Sequence, residues 1–223
     1  FWEAIGVFGG MIIGSGMFAL PYAASVSGLW WTAAMAAIAF FAILSLHLAY
    51  GEIVLNTAER HRLPGYVKLY LGKFFGGASK YIEIILFNAT LLVYGALAGI
   101  FLSTIFGDRG DAFFWTLAFF AISSLILLFK SIEQIGFINF VLTLPLILAT
   151  LLISFLAYGK GNLGNLNFYG EDPFFVFGVL MFALAGFSAI PDAAEVFRDS
   201  QARSKMKSVI WLGTAVPLIL YII

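Results

Sequence analysis

From residue 4 to residue 24 the chain carries no charge, and GGMIIGSGMFALP, residues 9–21, lies in the middle of that run. At about 1.5 Å per helical residue the run is long enough to cross a bilayer core of about 30 Å. Gly14-Ser15-Gly16 falls near its midpoint. Each glycine there costs a helix about 1 kcal/mol relative to alanine. Lipid offers backbone groups no partner, so an uncoiled turn at that depth persists only where protein, water or a bound solute meets the freed N–H and C=O groups. The sequence therefore predicts a membrane span broken in its middle. A half-helix that begins at such a break turns its positive dipole and free amides toward an anion, while the loosened carbonyls face a cation.

A second segment repeats the pattern. Residues 174–196 form another expected span, with Gly186-Phe187-Ser188-Ala189-Ile190-Pro191 inside it. Pro191 has no N–H and its ring clashes with the carbonyl of Phe187 in a continuous helix, so the helix must kink or open there. Ser15 is 11 residues past Ala4 and Phe187 is 13 past Phe174, which sets both breaks about 16 to 20 Å across the core. Gly6 and Gly10, spaced four apart with Gly14, read as a small-residue stripe for close helix packing.

A chain that is 62% hydrophobic and 11% charged reads as an all-α integral membrane protein, with no alternating strands of the barrel type. The 12 basic and 12 acidic residues leave no basic field for nucleic acid, and the absence of cysteine removes thiolate metal sites. Beyond the first run, spans are expected at 30–55, 81–106, 113–129, 135–158 and 174–196, with a truncated seventh in VIWLGTAVPLILYII. YVKLYLGKFF, between the second and third, suits a short helix lying in the interface. Phe1 at the start and an apolar run at the end are read as the limits of a fragment.

Loop charges give an orientation. Arg60, Arg62, Lys68, Lys73 and Lys80 follow span two, Lys130 follows span four, and Arg198, Arg203, Lys205 and Lys207 follow span six, against Arg109 and Lys160 on the opposite side. By the positive-inside rule the amino terminus is cytoplasmic, and spans one and six cross in opposite directions. That is the expected sign of inverted repeats.

MIIGSGMFALPYAASVSG, followed by LAYGEI and LPGYVKLYLGKFFG around the end of the second span, resembles the amino acid, polyamine and organocation permeases. GFSAIP and WLGTAVPLILYI are most similar to the tryptophan and tyrosine permease branch. The resemblance spans nearly the whole chain and implies a leucine-transporter-like inverted-repeat bundle, truncated to about seven of ten or more spans. Residues 1–158 would form the first five-helix repeat and 174–223 the start of the second, within a single transmembrane domain. The resemblance places a substrate carboxylate on amides at the Gly14 break, here those of Ser15, Gly16 and Met17. The substrate amino group would meet carbonyls of Ile13, Leu184, Ala185 and Gly186. Phe187 and Ser188 stand where related aromatic permeases carry a more polar residue, which leaves side-chain selectivity open. The coupling ion, a proton or sodium, would bind between spans one and eight. The implied setting is a prokaryotic inner membrane, crossed many times.

Other polar residues have competing readings. Tyr94, 13 residues into span three, either reaches the bound carboxylate or is a core tyrosine bonded to a neighbouring helix. Asn139 and Thr143 share a face of span five and are read as tying helices together. Asp192 is expected to cap the inner half-helix, with proton carriage as the lesser reading; Glu195 is expected to pair with Arg198, and Glu52 with Arg60. His47 has no companion at metal-ligand spacing and reads as a packed, hydrogen-bonded residue. No GxSxG elbow or base accompanies Ser15, so the chain reads as no enzyme, without cofactor or metal. The expected function is secondary transport of an amino acid, possibly aromatic in class, by proton symport with alternating access. Sodium coupling, exchange, an amino acid sensor that does not transport, and a structural subunit stay open as alternatives. Gly16→Leu is expected to fill the carboxylate position and abolish binding with the fold intact.

Overall fold

The computed structural model describes residues 1–14, 16–107, 110–129, 145, 147–157, 167–195 and 202–222. Among these every regular element is a helix: α1 Trp2–Ile12, α2 Gly16–Ser27, α3 Leu29–Asn56, α4 Leu63–Leu71, α5 Lys73–Phe106 and α6 Ala112–Phe129. α7 covers Ile147–Ala157, and α8 Pro173–Ala183, α9 Ala189–Glu195 and α10 Ala202–Ile222 complete the order. Helices α3, α5, α6 and most of α10 are long and apolar enough to cross a membrane, and α1 with α2, bent by 49°, makes a fifth candidate. α8 and α9, at 11 and 7 residues, are each too short to cross alone.

Most boundaries follow the expected spans. Two departures have local causes. The aromatic and basic stretch YVKLYLGKFF is divided at Gly72, whose φ of 90° ends α4, and α5 then begins at Lys73 with Lys73 and Lys80 exposed on its first turns. Of the expected fifth span, only residue 145 and α7 are described, so Asn139 and Thr143 lie outside the described residues.

The chain divides into two compact units, one of Phe1–Gly76 with Ile147–Ile223, the other of Gly77–Leu146. In the first, α2 lies antiparallel to α8. The end of α2 meets the start of α8 through Ser27, which is fully buried, donates its hydroxyl to the Asp172 carbonyl at 2.6 Å and accepts from the Val176 amide at 3.2 Å. The turn between α2 and α3 is clasped by the segment before α8: Leu29 N–H donates to Asn167 O at 2.8 Å, Trp30 N–H to Phe168 O at 3.2 Å and Gly170 N–H to Ser27 O at 3.0 Å. Gly28, at φ 83° and ψ 157°, makes this approach possible, since a Cβ there would run into Phe168 and Gly170 backbone. Asp172 then caps α8 by accepting from Phe174 N–H and Phe175 N–H, both at 3.1 Å, with Pro173 in the first turn.

α1 packs on α9 and α10, and α3 covers α8, α9 and α10. Phe8, Ile43, Leu180, Leu184, Ile190, Met206 and Ile210 fill the middle, fully buried. The stripe expected at Gly6 and Gly10 is not the contact: a Cβ on either meets nothing within 4 Å, whereas one on Gly9 would lie 3.6 Å from the Gly213 carbonyl. Phe8 decides this. Its buried ring takes the space a Gly213 side chain would need, so α1 turns Phe8 and Gly9 to α10 and Ile12 to Gly186.

The second unit holds a small-residue contact that the sequence reading passed over. Gly95 and Gly99, four apart on α5, leave room for Thr116 and Phe120 of α6, and the Thr116 hydroxyl lies 3.1 Å from Gly95 O. The outward faces of α5 and α6 are apolar, as lipid-facing helices require.

Candidate functional site

Both interruptions occur where the glycine and proline patterns place them. α1 ends at Ile13, whose ψ of 99° leaves the helical region although its amide still donates to Gly9 O at 3.0 Å. Met17 N–H turns back to Gly14 O at 3.3 Å as α2 begins; Ser15 lies outside the described residues. In the other break the Leu184 amide donates to Leu180 O at 2.9 Å and Ala185 N–H to Phe182 O at 3.2 Å. The chain then restarts with Ala189 N–H on Gly186 O at 3.1 Å and Ile190 N–H on Phe187 O at 3.2 Å. Pro191 falls in the first turn of α9, where no intrahelical N–H is needed.

The two breaks lie against each other, Gly16 on the backbone of Ala183 and Gly186 on the side chain of Ile12. A Cβ on Gly16 would stand 2.5 Å from Ala183 Cβ and 2.6 Å from Ala183 Cα, and one on Gly186 would stand 2.5 Å from Ile12 Cγ1. Gly16→Leu therefore presses on α8 itself and is not silent in the fold, contrary to the expectation from sequence. Beside this crossing, the Tyr221 hydroxyl of α10 donates to Ile12 O at 2.7 Å and lies 3.2 Å from Ala183 O. These carbonyls end α1 and α8, so one phenol spans the carboxyl ends of two half-helices.

His47 of α3 holds the second break from the other side. Gly186 N–H points at its Nε2 at 3.3 Å, which makes that nitrogen the acceptor. Nδ1 then carries the ring proton and donates to Thr214 Oγ1 at 3.1 Å, and the Thr214 hydroxyl donates to Ile210 O at 2.8 Å. The imidazole is fully buried between the Phe8 ring, 5.1 Å away, and the Phe187 ring, 4.6 Å away. The network is complete with a neutral histidine, and it satisfies an amide that the break releases. Ser27, His47 and Thr214 are buried polar side chains, and each has its partners.

Of the residues expected at the site, Ile13, Gly14, Gly16 and Met17 lie on one break, and Leu184, Ala185, Gly186, Phe187 and Ser188 on the other. Gly16, Leu184 and Gly186 are buried; Ile13, Gly14, Met17, Phe187 and Ser188 are half-buried, and Ala185 is exposed. Tyr94 belongs to α5 in the second unit, 37% exposed. His47, Thr214 and Tyr221 are the additional residues that the structure joins to the breaks.

The acidic residues past the second break reach the basic side chains after α3, and Asp192 lies in the first turn of α9 as expected. Asp192 meets Arg62 at 3.0 Å and Glu195 meets Arg60 at 3.8 Å, while Glu52 meets Lys207 at 2.8 Å, not Arg60. Helix α9 brings Asp192 and Glu195 beside the 56–62 segment, and they line a cavity of about 340 Å³ with Arg60, Arg62 and Tyr66. Nearness in sequence misled here, because the start of α10 reaches Glu52 first. Arg198 lies outside the described residues. Among the described residues no three His, Asp or Glu side chains gather as metal ligands.

Apolar helices that stop midway, with their loose ends set together inside the protein, are the discontinuous membrane helices on which many transporters build their sites. The tryptophan/tyrosine permease family model matches residues 1–223, and the chain belongs to that family. The resemblance seen in the first, sixth and seventh spans is thereby borne out, and the family implies transport of aromatic amino acids across the membrane. No curated protein and no solved structure matches the chain.

Proposed function

We propose that the chain belongs to a proton-coupled symporter that imports an aromatic amino acid by alternating access, built as a leucine-transporter-like inverted repeat with the substrate at the two breaks. The observation that carries this reading is the meeting of the breaks, Gly16 on Ala183 and Gly186 on Ile12, with the carboxyl ends of α1 and α8 facing one hydroxyl. Two helix carboxyl ends favour an ammonium, and the amino end of α2 at Gly16 and Met17 favours a carboxylate. Together these opposite ends would favour a zwitterion. Ile13, Gly14, Ser15, Leu184, Ala185 and Gly186 would supply backbone contacts, and Phe187 and Ser188 the wall for the side chain. The antiparallel course of α2 and α8 agrees with an inverted second repeat, and the loop charges favour a cytoplasmic amino terminus.

The test uses proteoliposomes of the complete protein. Labelled tryptophan or tyrosine should exchange against unlabelled amino acid inside, and an acid-outside pH gradient should drive accumulation without sodium. Saturable binding with no exchange would make the protein a sensor. Exchange that ignores the pH gradient would remove the proton from the mechanism.

A further inference from the structure

Tyr221 stands 209 residues from Ile12 and 38 from Ala183, yet its hydroxyl reaches the terminal carbonyls of both helices that end at the breaks. A phenol has one proton to give. At 2.7 Å that proton belongs to Ile12 O, and Ala183 O at 3.2 Å receives only a share. Each helix end carries a partial negative charge, so the point between them attracts a cation more strongly than a neutral hydroxyl. Thr214, about two helical turns before Tyr221 on α10, serves His47 and the other break. α10 thus supports both interruptions through two side chains.

We infer that the Tyr221 hydroxyl is a placeholder for the substrate ammonium, bridging Ile12 O and Ala183 O until the amino group takes those acceptors. This rests on the reading that an amino acid binds at the breaks. An ammonium brings three donors and a full charge, enough to serve both carbonyls at once, so it displaces the phenol and not the reverse. Tyr221 is then a competitor that occupies the carbonyl ends of α1 and α8 until the amine arrives. Its removal spares the substrate a competitor.

The experiment measures equilibrium binding of an aromatic amino acid, and of the matching 3-arylpropanoate without the amino group, to the complete protein and to Tyr221→Phe in detergent. The expected result is tighter binding of the amino acid by Tyr221→Phe, about 2- to 10-fold, the equivalent of one neutral hydrogen bond. Affinity for the arylpropanoate should not change. Tyr221→Met, which also lacks the hydroxyl, should repeat the pattern and serves if the phenylalanine variant does not fold. Weaker or unchanged binding of the amino acid, or an equal shift for both ligands, overturns the placeholder role. If the wild-type protein binds no aromatic amino acid, the site reading itself fails, which is a separate outcome from binding that Tyr221→Phe leaves unsharpened.

Discussion

Replacing Gly16 by alanine adds a single methyl at the crossing of α2 and α8. That methyl would lie 2.5 Å from Ala183 Cβ, 2.6 Å from Ala183 Cα and 3.3 Å from Ala183 N, where ordinary contact begins at 3.4 Å. One helix must retreat by about 1 Å, or its side chains must leave their rotamers, and overpacking of this kind costs about 1 to 3 kcal/mol. In a domain of this size a kilocalorie moves the unfolding temperature by about 2 to 4 °C, so Gly16→Ala should unfold about 2 to 12 °C lower in detergent, followed by tryptophan fluorescence. The compensating change Ala183→Gly removes the Cβ contact but leaves Ala183 Cα at 2.6 Å. It also places a glycine in the last turn of α8, at a cost of up to about 1 kcal/mol. The double variant should therefore regain less than half of the loss. An unfolding temperature for Gly16→Ala within about 1 °C of wild type, or full recovery in the double variant, would refute the view that backbone approach at this crossing holds the breaks together.

His47→Phe keeps a ring between Phe8 and Phe187 but leaves Gly186 N–H without an acceptor and Thr214 without its donor. A loss of about 2 to 4 kcal/mol is expected in the same unfolding assay, and Thr214→Val should cost less, because it spares the Gly186 bond; an unchanged midpoint for His47→Phe would remove histidine from the support of the break. Asp192→Asn breaks an ion pair whose carboxylate side chain is 41% exposed, so stability should change by less than about 1 kcal/mol. Uptake by that variant should keep its pH profile, and a flat profile would make Asp192 the proton carrier.

The regions where the helices stop were legible from Gly14 and Gly16 set together at mid-span and from Gly186 shortly before Pro191, although a lone proline does not suffice, since Pro21 and Pro217 lie inside α2 and α10. The supports were not. His47 reads as a lone polar residue in an apolar run because Gly186 and Thr214, its partners, are 139 and 167 residues away. Tyr221 is equally mute, since nothing around it in sequence reveals that two helix ends meet its hydroxyl. The glycine stripe failed for a related reason. Spacing shows which residues share a face, but the bulk of Phe8 and the course of α10 decide which face is buried, and Gly9 was turned inward in place of Gly6 and Gly10. The partner of Glu52 was misjudged because sequence distance stood in for spatial distance, and Lys207 takes the place given to Arg60.

The clasp between residues 27–30 and 167–170 has a mechanical consequence. Three main-chain bonds and the two-way hydroxyl of Ser27 weld the far ends of α2 and α8, while Gly16 and Ala183 pin their near ends. Held at both extremities, the two rods can only travel as a single beam. On the proposed transport reading, a rocking motion would bend the chain at the uncoiled joints themselves, and the place proposed to grip the cargo would then also be the hinge.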